Sequence, residues 1–332
     1  MNYCNDNAKS RSTLRLNSGP EAIARAVDVL AGGGLVSFPT ETVYGLGADA
    51  TSGPAVARIY EAKARPAFNP LISHVADSSA AQAQGNFNAD ALALAHAFWP
   101  GPLTLVVPVS SGCQVCELAR AGLDSVALRV PAHPLALAVL SAFGRPVAAP
   151  SANRSGRISP TSADHVMAEL DGRCELVIDG GSTAVGLEST IVSCLGEQPV
   201  LLRPGGLARE DIERVLKRPV ATPKTEAAIH APGMLASHYA PEALLRLEAR
   251  DIERGEAFLD FAGQTGAMAP LAMAYADLSP RGDLREAAAN LFAYLRKLDA
   301  SGARRIAIAP VPNFGLGEAI NDRLRRAAAP RA

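Results

Sequence analysis

Short apolar runs bounded by proline and glycine alternate with segments of helical period through the first two hundred residues. That alternation confines the chain to a mixed α/β fold. Ser18-Gly19-Pro20-Glu21 reads as a capping box with proline in the first turn, and Ile23, Val27 and Leu30 then share one helical face. Gly32-Gly33-Gly34 ends this helix, a buried strand follows over 35–38, and residues 40–47 read as a polar loop. Ser52 and Pro54 open a second helix that must end near Lys63, because Pro66 restricts the residue before it. Further helices are predicted over 91–99, 134–143, 162–170 and 209–216. Strands are predicted over 103–109, 126–130, 146–149, 175–178, 190–194 and 200–202. Two strand pairs, 103–109 with 126–130 and 190–194 with 200–202, have no helix between them, so antiparallel pairing is expected there.

The pattern lapses between Pro219 and Pro241, where four prolines punctuate a stretch with little periodicity. Beyond it, strands near 244–247, 258–261, 271–274 and 306–309 alternate with helices near 284–298 and 316–326, the mark of a small, mostly parallel α/β unit. The chain therefore divides into a flexible tail over 1–17, a first domain over 18–218, a linker over 219–241 and a second α/β domain over 242–332. Its 332 residues suit two domains.

Bulk numbers exclude some classes. A formal net charge of -1 argues against nucleic-acid binding driven by bulk positive charge, though a weak RNA contact is compatible with it. No apolar run approaches the roughly 20 residues needed to span a bilayer, and the polar N-terminus lacks a secretion-signal core. Five scattered cysteines fit a reducing compartment, so a cytoplasmic location is expected. There is no P-loop, no G-x-G-x-x-G after the first strand and no histidine pair at metal-binding spacing. Cys113 and Cys116 form a lone C-x-x-C without the second pair a zinc site needs, so no protein metal site is expected.

The polar groups that stand out fall at strand and helix ends, where ligands of open α/β sheets bind. Thr40-Glu41-Thr42 is either a solvated turn or a ligand loop. Lys63 and Arg65 leave a helix C-terminus, where the macrodipole is one reason for cations and a polyphosphate another. Ser151 and Asn153 are ordinary turn formers that can also read a ribose or phosphate oxygen. Glu188-Ser189 enters a strand and Arg203 leaves the next. His74 is a core histidine or a ligand contact. Arg129 stands between apolar neighbours inside a strand and, if buried, needs a carboxylate, from the protein or from a ligand.

Nine segments in order resemble the YrdC-like family of threonylcarbamoyl-AMP synthases: PTETVYGLG at 39–47, KARP at 63–66, NPLISH at 69–74, FWPGPLTLV at 98–106, GLDSVALRVPAHP at 122–134, APSAN at 149–153, DGG at 179–181, GLESTI at 186–191 and LLRPG at 201–205. The stretch from Pro232-Gly233-Met234 through His238-Tyr239-Ala240-Pro241, with the domain beyond it, is similar to the longer, two-domain form. The resemblance implies a YrdC-like twisted mixed sheet flanked by helices, plus a smaller Rossmann-like domain. It implies a reaction in which L-threonine, bicarbonate and ATP give threonylcarbamoyl-AMP and pyrophosphate, for threonylcarbamoyl-adenosine formation in tRNA. ATP is then a substrate, Mg2+ is expected with its phosphates, and downstream transfer proteins receive the product. On the family pattern Lys63, Arg65, Ser125, Ser151, Asn153, Ser159, Arg203, His238 and Tyr239 match the nucleotide side, with Lys63 and Arg65 catalytic. Thr40, His74, Arg129 and Ser189 match the threonine side, with Arg129 facing the amino-acid carboxylate. The proline-rich linker is expected to fold over the nucleotide as a lid. A non-enzymatic RNA-binding module of the same fold is the rival reading. A carbamoyl transferase of hydrogenase maturation is disfavoured, because the chain lacks the acylphosphatase-like and zinc-finger segments of that setting.

Overall fold

The structure is a computed structural model that describes residues 12–66, 68–223 and 238–330. Its strands are β1 (Leu14–Asn17), β2 (Val36–Pro39), β3 (Tyr44–Asp49), β4 (Ile72–His74), β5 (Leu103–Pro108), β6 (Ser125–Arg129) and β7 (Val147–Ala148). Then come β8 (Leu176–Asp179), β9 (Thr190–Ser193), β10 (Val200–Arg203), β11 (Leu244–Arg246), β12 (Glu256–Asp260), β13 (Tyr275–Asp277) and β14 (Arg305–Ile308). The helices are α1 (Pro20–Ala31), α2 (Gly53–Lys63), α3 (Ser78–Gln84), α4 (Ala89–Phe98) and α5 (Glu117–Arg120). They continue with α6 (Pro134–Phe143), α7 (Ala163–Leu170), α8 (Arg209–Leu216), α9 (Leu284–Asp299) and α10 (Leu316–Ala328).

Two sheets result. Ten strands make a mixed sheet in the order β1-β8-β2-β3-β7-β4-β6-β5-β9-β10, and four make a second in the order β11-β14-β12-β13. The second is parallel throughout, as the alternation of its elements predicts. Both strand pairs without an intervening helix are antiparallel: β5 meets β6 with Leu105 opposite Leu128, and β9 meets β10 with Val192 opposite Leu201. Helices α1 and α6 cover one face through Ala26, Leu30, Val139 and Leu140, packed on Val36, Phe38 and Ile178. The opposite side holds the larger core around Tyr44, Leu46, Ile59, Leu105 and Leu128.

Four local readings need correction. Residues 44–49 form a strand paired antiparallel to β2, not a loop. Gly47 is required by the packing: a Cβ there would lie 2.7 Å from the Phe38 ring and 2.9 Å from Val147. Leu14–Asn17, assigned to the tail, is an edge strand parallel to β8, while residues 1–11 of the tail lie outside the described residues. The N-cap of α1 is Gly19, without a side-chain bond, although Pro20 does occupy its first turn. Residues 266–271 form a short 3-10 turn, and the strand expected at 271–274 starts instead at Tyr275. Ser52 caps α2 as expected, accepting from the Ala55 amide at 3.3 Å. Of the linker, residues 224–237 lie outside the described residues, and with them most of the segment read as a lid.

The two sheets share a packed boundary. Val43, Ile158 and Leu187 of the large domain join one apolar cluster with Leu291, Phe292 and Ile320 of the small one. Arg296 of α9 pairs with Glu169 of α7 at 2.5 Å, and Arg209 of α8 pairs with Glu318 of α10 at 2.6 Å. Gly186, at φ +74°, lies so near α9 that a Cβ there would stand 2.5 Å from the Ala288 carbonyl. Gly186→Ala meets both a left-handed backbone and a backbone clash, and should cost roughly 2–4 kcal/mol. Urea denaturation checks this, and a loss below about 0.5 kcal/mol would contradict the fit described.

Candidate active site

In-register pairing of β4 with β6 sets His74 beside Arg129 and Ile72 beside Ala127. Paired residues face the same side of a sheet, so the two polar side chains share one face. Three segments far apart in sequence bring further groups over that face. The turn between β2 and β3 carries Thr40, whose Oγ1 donates to the Val43 carbonyl at 2.7 Å. The turn after β7 carries Ser151, bridged to Gly45 of β3. Glu188 and Ser189 lead into β9, and Arg203 closes β10. Gly205 makes this last approach feasible, since a Cβ there would lie 2.4 Å from the Glu188 carbonyl.

These groups line a single cleft among the described residues. Its wall includes Thr40, Arg65, His74, Arg129, Ser151, Ser189, Arg203, His238 and Tyr239. All nine are residues expected from the sequence to bind ligand. The other four stand behind or beside the wall. Lys63 is buried, and its ammonium donates to the carbonyls of Ser151, at 2.5 Å, and Asn153. The lysine therefore braces the 151–153 turn instead of reaching into the cleft. The Asn153 amide donates to the Arg154 and Arg157 carbonyls at 2.9 and 2.8 Å, tightening the loop that follows. The Ser159 hydroxyl donates to Glu188. Ser125 shares the face of Ala127 and Arg129 but lies four residues before Arg129, roughly 13 Å along the strand.

The electrostatics are lopsided. Among the described residues, three arginines line the cleft against one carboxylate, Glu188. Burial pushes the Arg65 and Arg203 guanidinium pKa values down to about 10, and drives Lys63 well below its ordinary value. Arg203 compensates by donating to the Ser189 carbonyl at 2.8 and 3.1 Å. Arg129 has found a protein carboxylate: its Nη2 lies 2.6 Å from Glu41 Oε1, a residue the sequence reading placed only in a polar turn. His74 and His238 are both held neutral, burial lowering each to about 3. Among the described residues Arg65 Nε, His74 Nδ1 and His238 Nδ1 have no hydrogen-bond partner although they are buried. Such groups are uncommon in finished cores, and three in one cleft point to a polar ligand.

Two contributors escaped the sequence reading. Glu188, named only as part of a motif, accepts from Ser159 and from Arg323 Nε at 2.9 Å. Arg323 comes from α10 of the small domain and is fully buried. Nothing local in an amphipathic helix distinguishes such an arginine from its exposed neighbours. As for a resident metal, no cluster of three metal-ligating side chains exists among the described residues, and the one cleft carboxylate is already engaged. The donor set does not fit a protein-held cation.

Comparison with known proteins identifies the family. A family model described as telomere recombination matches residues 28–205, and one described as the threonylcarbamoyl-AMP synthase C-terminal domain matches residues 207–329. The threonylcarbamoyl-AMP synthase of Bacillus subtilis is 42% identical over 336 residues, covering 96% of each chain. That of Pyrococcus abyssi is 44% identical, covering 89% of this chain and 90% of its own. A crystal structure of P. abyssi Sua5 complexed with L-threonine superposes with a TM-score of 0.85 at 39% identity, covering 95% of this chain and 97% of that one. The family resemblance and the twisted mixed sheet read from the sequence are thus both upheld, and the chain belongs to the threonylcarbamoyl-AMP synthase family.

Proposed function

We propose that this chain condenses L-threonine, bicarbonate and ATP into threonylcarbamoyl-AMP and pyrophosphate, the activated precursor of threonylcarbamoyl-adenosine in tRNA. The observation that carries the proposal is the single cleft in which Arg65, Arg129 and Arg203 meet polar turns and three unpaired buried nitrogens. A triphosphate and an amino-acid carboxylate are the anions such a cleft would favour.

In the first step the threonine amine adds to the carbon of bicarbonate; water leaves, and a carbamate forms. In the second a carbamate oxygen attacks the α-phosphorus, the bond to the bridging oxygen breaks, and pyrophosphate departs. No covalent enzyme intermediate is required. Arg129 takes the threonine carboxylate, which must share or displace Glu41, and the adjacent neutral His74 and the Thr40 and Ser189 hydroxyls border the same subsite. Arg65 and Arg203 face the charge that develops on the phosphates, where fixed donors in a desolvated site are worth most. Lys63 acts one layer back by holding the Ser151 turn in place. The nucleoside extends along the apolar strip of Ile72, Val106, Ala127 and Ile191 toward Ser125. His238 and Tyr239 bound the cleft from the segment before the small domain. Mg2+ enters as part of the ATP substrate, carried by the phosphates. Downstream transfer proteins and a cytoplasmic location belong to this proposal. Among the described residues no helix is long and apolar enough to cross a membrane.

Pyrophosphate release should require ATP, threonine and bicarbonate together, and the product should carry one carbon from labelled bicarbonate. Release independent of threonine would contradict the proposal. Two substitutions divide the cleft: Arg65→Ala should raise the KM for ATP, and Arg129→Ala the KM for threonine. Each should cost roughly 100-fold or more in kcat/KM for its own substrate. Steady-state kinetics with each substrate varied checks the division, and equal effects on both KM values would contradict it.

A further inference from the structure

Glu188 is out of place in a cleft built for anions. It lines the same wall as Arg65, Arg129 and Arg203, and a free carboxylate there would repel a triphosphate. The large domain offers it a hydroxyl, Ser159, and the nearby guanidinium of Arg203, whose hydrogen bonds all go to Ser189. The direct counter-charge comes from elsewhere. Arg323 of α10 reaches across the domain boundary with no exposed surface and donates through Nε to Glu188 Oε2 at 2.9 Å. Its Nη1 donates to the Pro204 carbonyl at 2.9 Å and meets Asp322 at 2.7 Å. Its guanidinium lies over the Tyr239 ring, 5.1 Å from the centroid, and that ring stacks on Phe292 of α9 at 5.5 Å. Arg323 is thus locked by groups from both domains and from the segment that joins them.

We propose that Arg323 is a positioning residue for the nucleotide: the small domain supplies the cation that cancels Glu188, so that a triphosphate entering the cleft meets the full positive charge of Arg65 and Arg203 undiminished by a carboxylate on the same wall. This rests on the ATP site proposed above. The groups facing Glu188 come from every element packed on it. They are Arg323 from α10, Arg203 at the end of β10, Lys63 from α2, Ser159, and the uncharged His238 and Tyr239. Burial acts most strongly on the Glu188 carboxyl and raises its pKa, but Arg323, then Arg203 and the Ser159 hydroxyl, together outweigh burial and hold it at about 2. It stays ionised and neutralised throughout the working pH range. Without Arg323, burial raises that value. The carboxylate then repels ATP at alkaline pH, and the repulsion fades as protons return on acidification.

The test uses the full chain, ATP as the probe, calorimetric Kd values and pyrophosphate-release kinetics between pH 6 and 8.5. Arg323→Met should weaken ATP binding roughly tenfold or more at pH 8 while moving the KM for threonine by less than about twofold. That penalty, taken as the ratio of variant to wild-type Kd at each pH so that the titration of ATP itself cancels, should shrink toward pH 6. Adding Glu188→Gln to Arg323→Met should return ATP binding to within about threefold of wild type, and Arg323→Lys should retain most of it. A merely structural contact would predict equal losses for both substrates and no dependence on pH. An ATP Kd unchanged in Arg323→Met, or a double variant as weak as the single one, would overturn the inference. Should Arg323→Met not fold, Glu188→Gln alone decides: it should bind ATP as tightly as wild type or more so, and a tenfold weakening would overturn the inference. A wild-type chain that releases no pyrophosphate would instead remove the reading on which this one rests.

Discussion

Burying cations is the constraint around which the large domain is arranged. Lys63, Arg129 and Arg203 are almost wholly excluded from solvent, and Arg65 stands beside them in the cleft. Each would be expensive in an apolar interior without partners. The chain answers each one differently. Lys63 is met by two carbonyls, Arg203 by the Ser189 carbonyl, and Arg129 by Glu41 and the Gly101 carbonyl at 3.2 Å. Carbonyl oxygens satisfy hydrogen-bonding capacity without cancelling charge, so the cleft keeps a surplus of positive potential. That surplus is what an anionic substrate can use.

The topology follows from this need. Residues near 40, 65, 74, 129, 151, 189 and 203 are brought to one place by the central strand order β3-β7-β4-β6-β5-β9-β10. None of these turns could hold a triphosphate alone, but the sheet fixes their relative positions. The small domain contributes more than bulk. Its α9 seats on Gly186, two residues before Glu188, and its α10 carries Arg323 to the carboxylate itself. Domain docking and cleft electrostatics therefore share the same short segment, residues 186–189.

Much of this was legible in the sequence, and the failures have physical causes. The antiparallel pairs could be read because no helix-length segment separated their strands. Nine cleft residues could be read because they sit in family motifs and at strand ends. Strand β3 was missed because its glycines look like loop residues, whereas Gly47 is there to admit Phe38 and Val147. Strand β1 was missed because four mostly exposed residues carry no signal beside an irregular tail. The bracing role of Lys63 was hidden because a side chain's direction cannot be read from its place in a motif. Glu41 and Arg323 find their partners across 88 and 135 residues, and local patterning contains nothing about such pairings.

The proposed reaction requires one cationic cleft to hold the triphosphate and the amino acid side by side. A crystal structure of the full chain with a non-hydrolysable ATP analogue and L-threonine tests it most directly. Phosphates are expected against Arg65 and Arg203, the threonine carboxylate on Arg129, and the amine near enough to the α-phosphate for one carbon to bridge them. Nucleotide and amino acid bound on separate faces, or a triphosphate remote from those arginines, would contradict it.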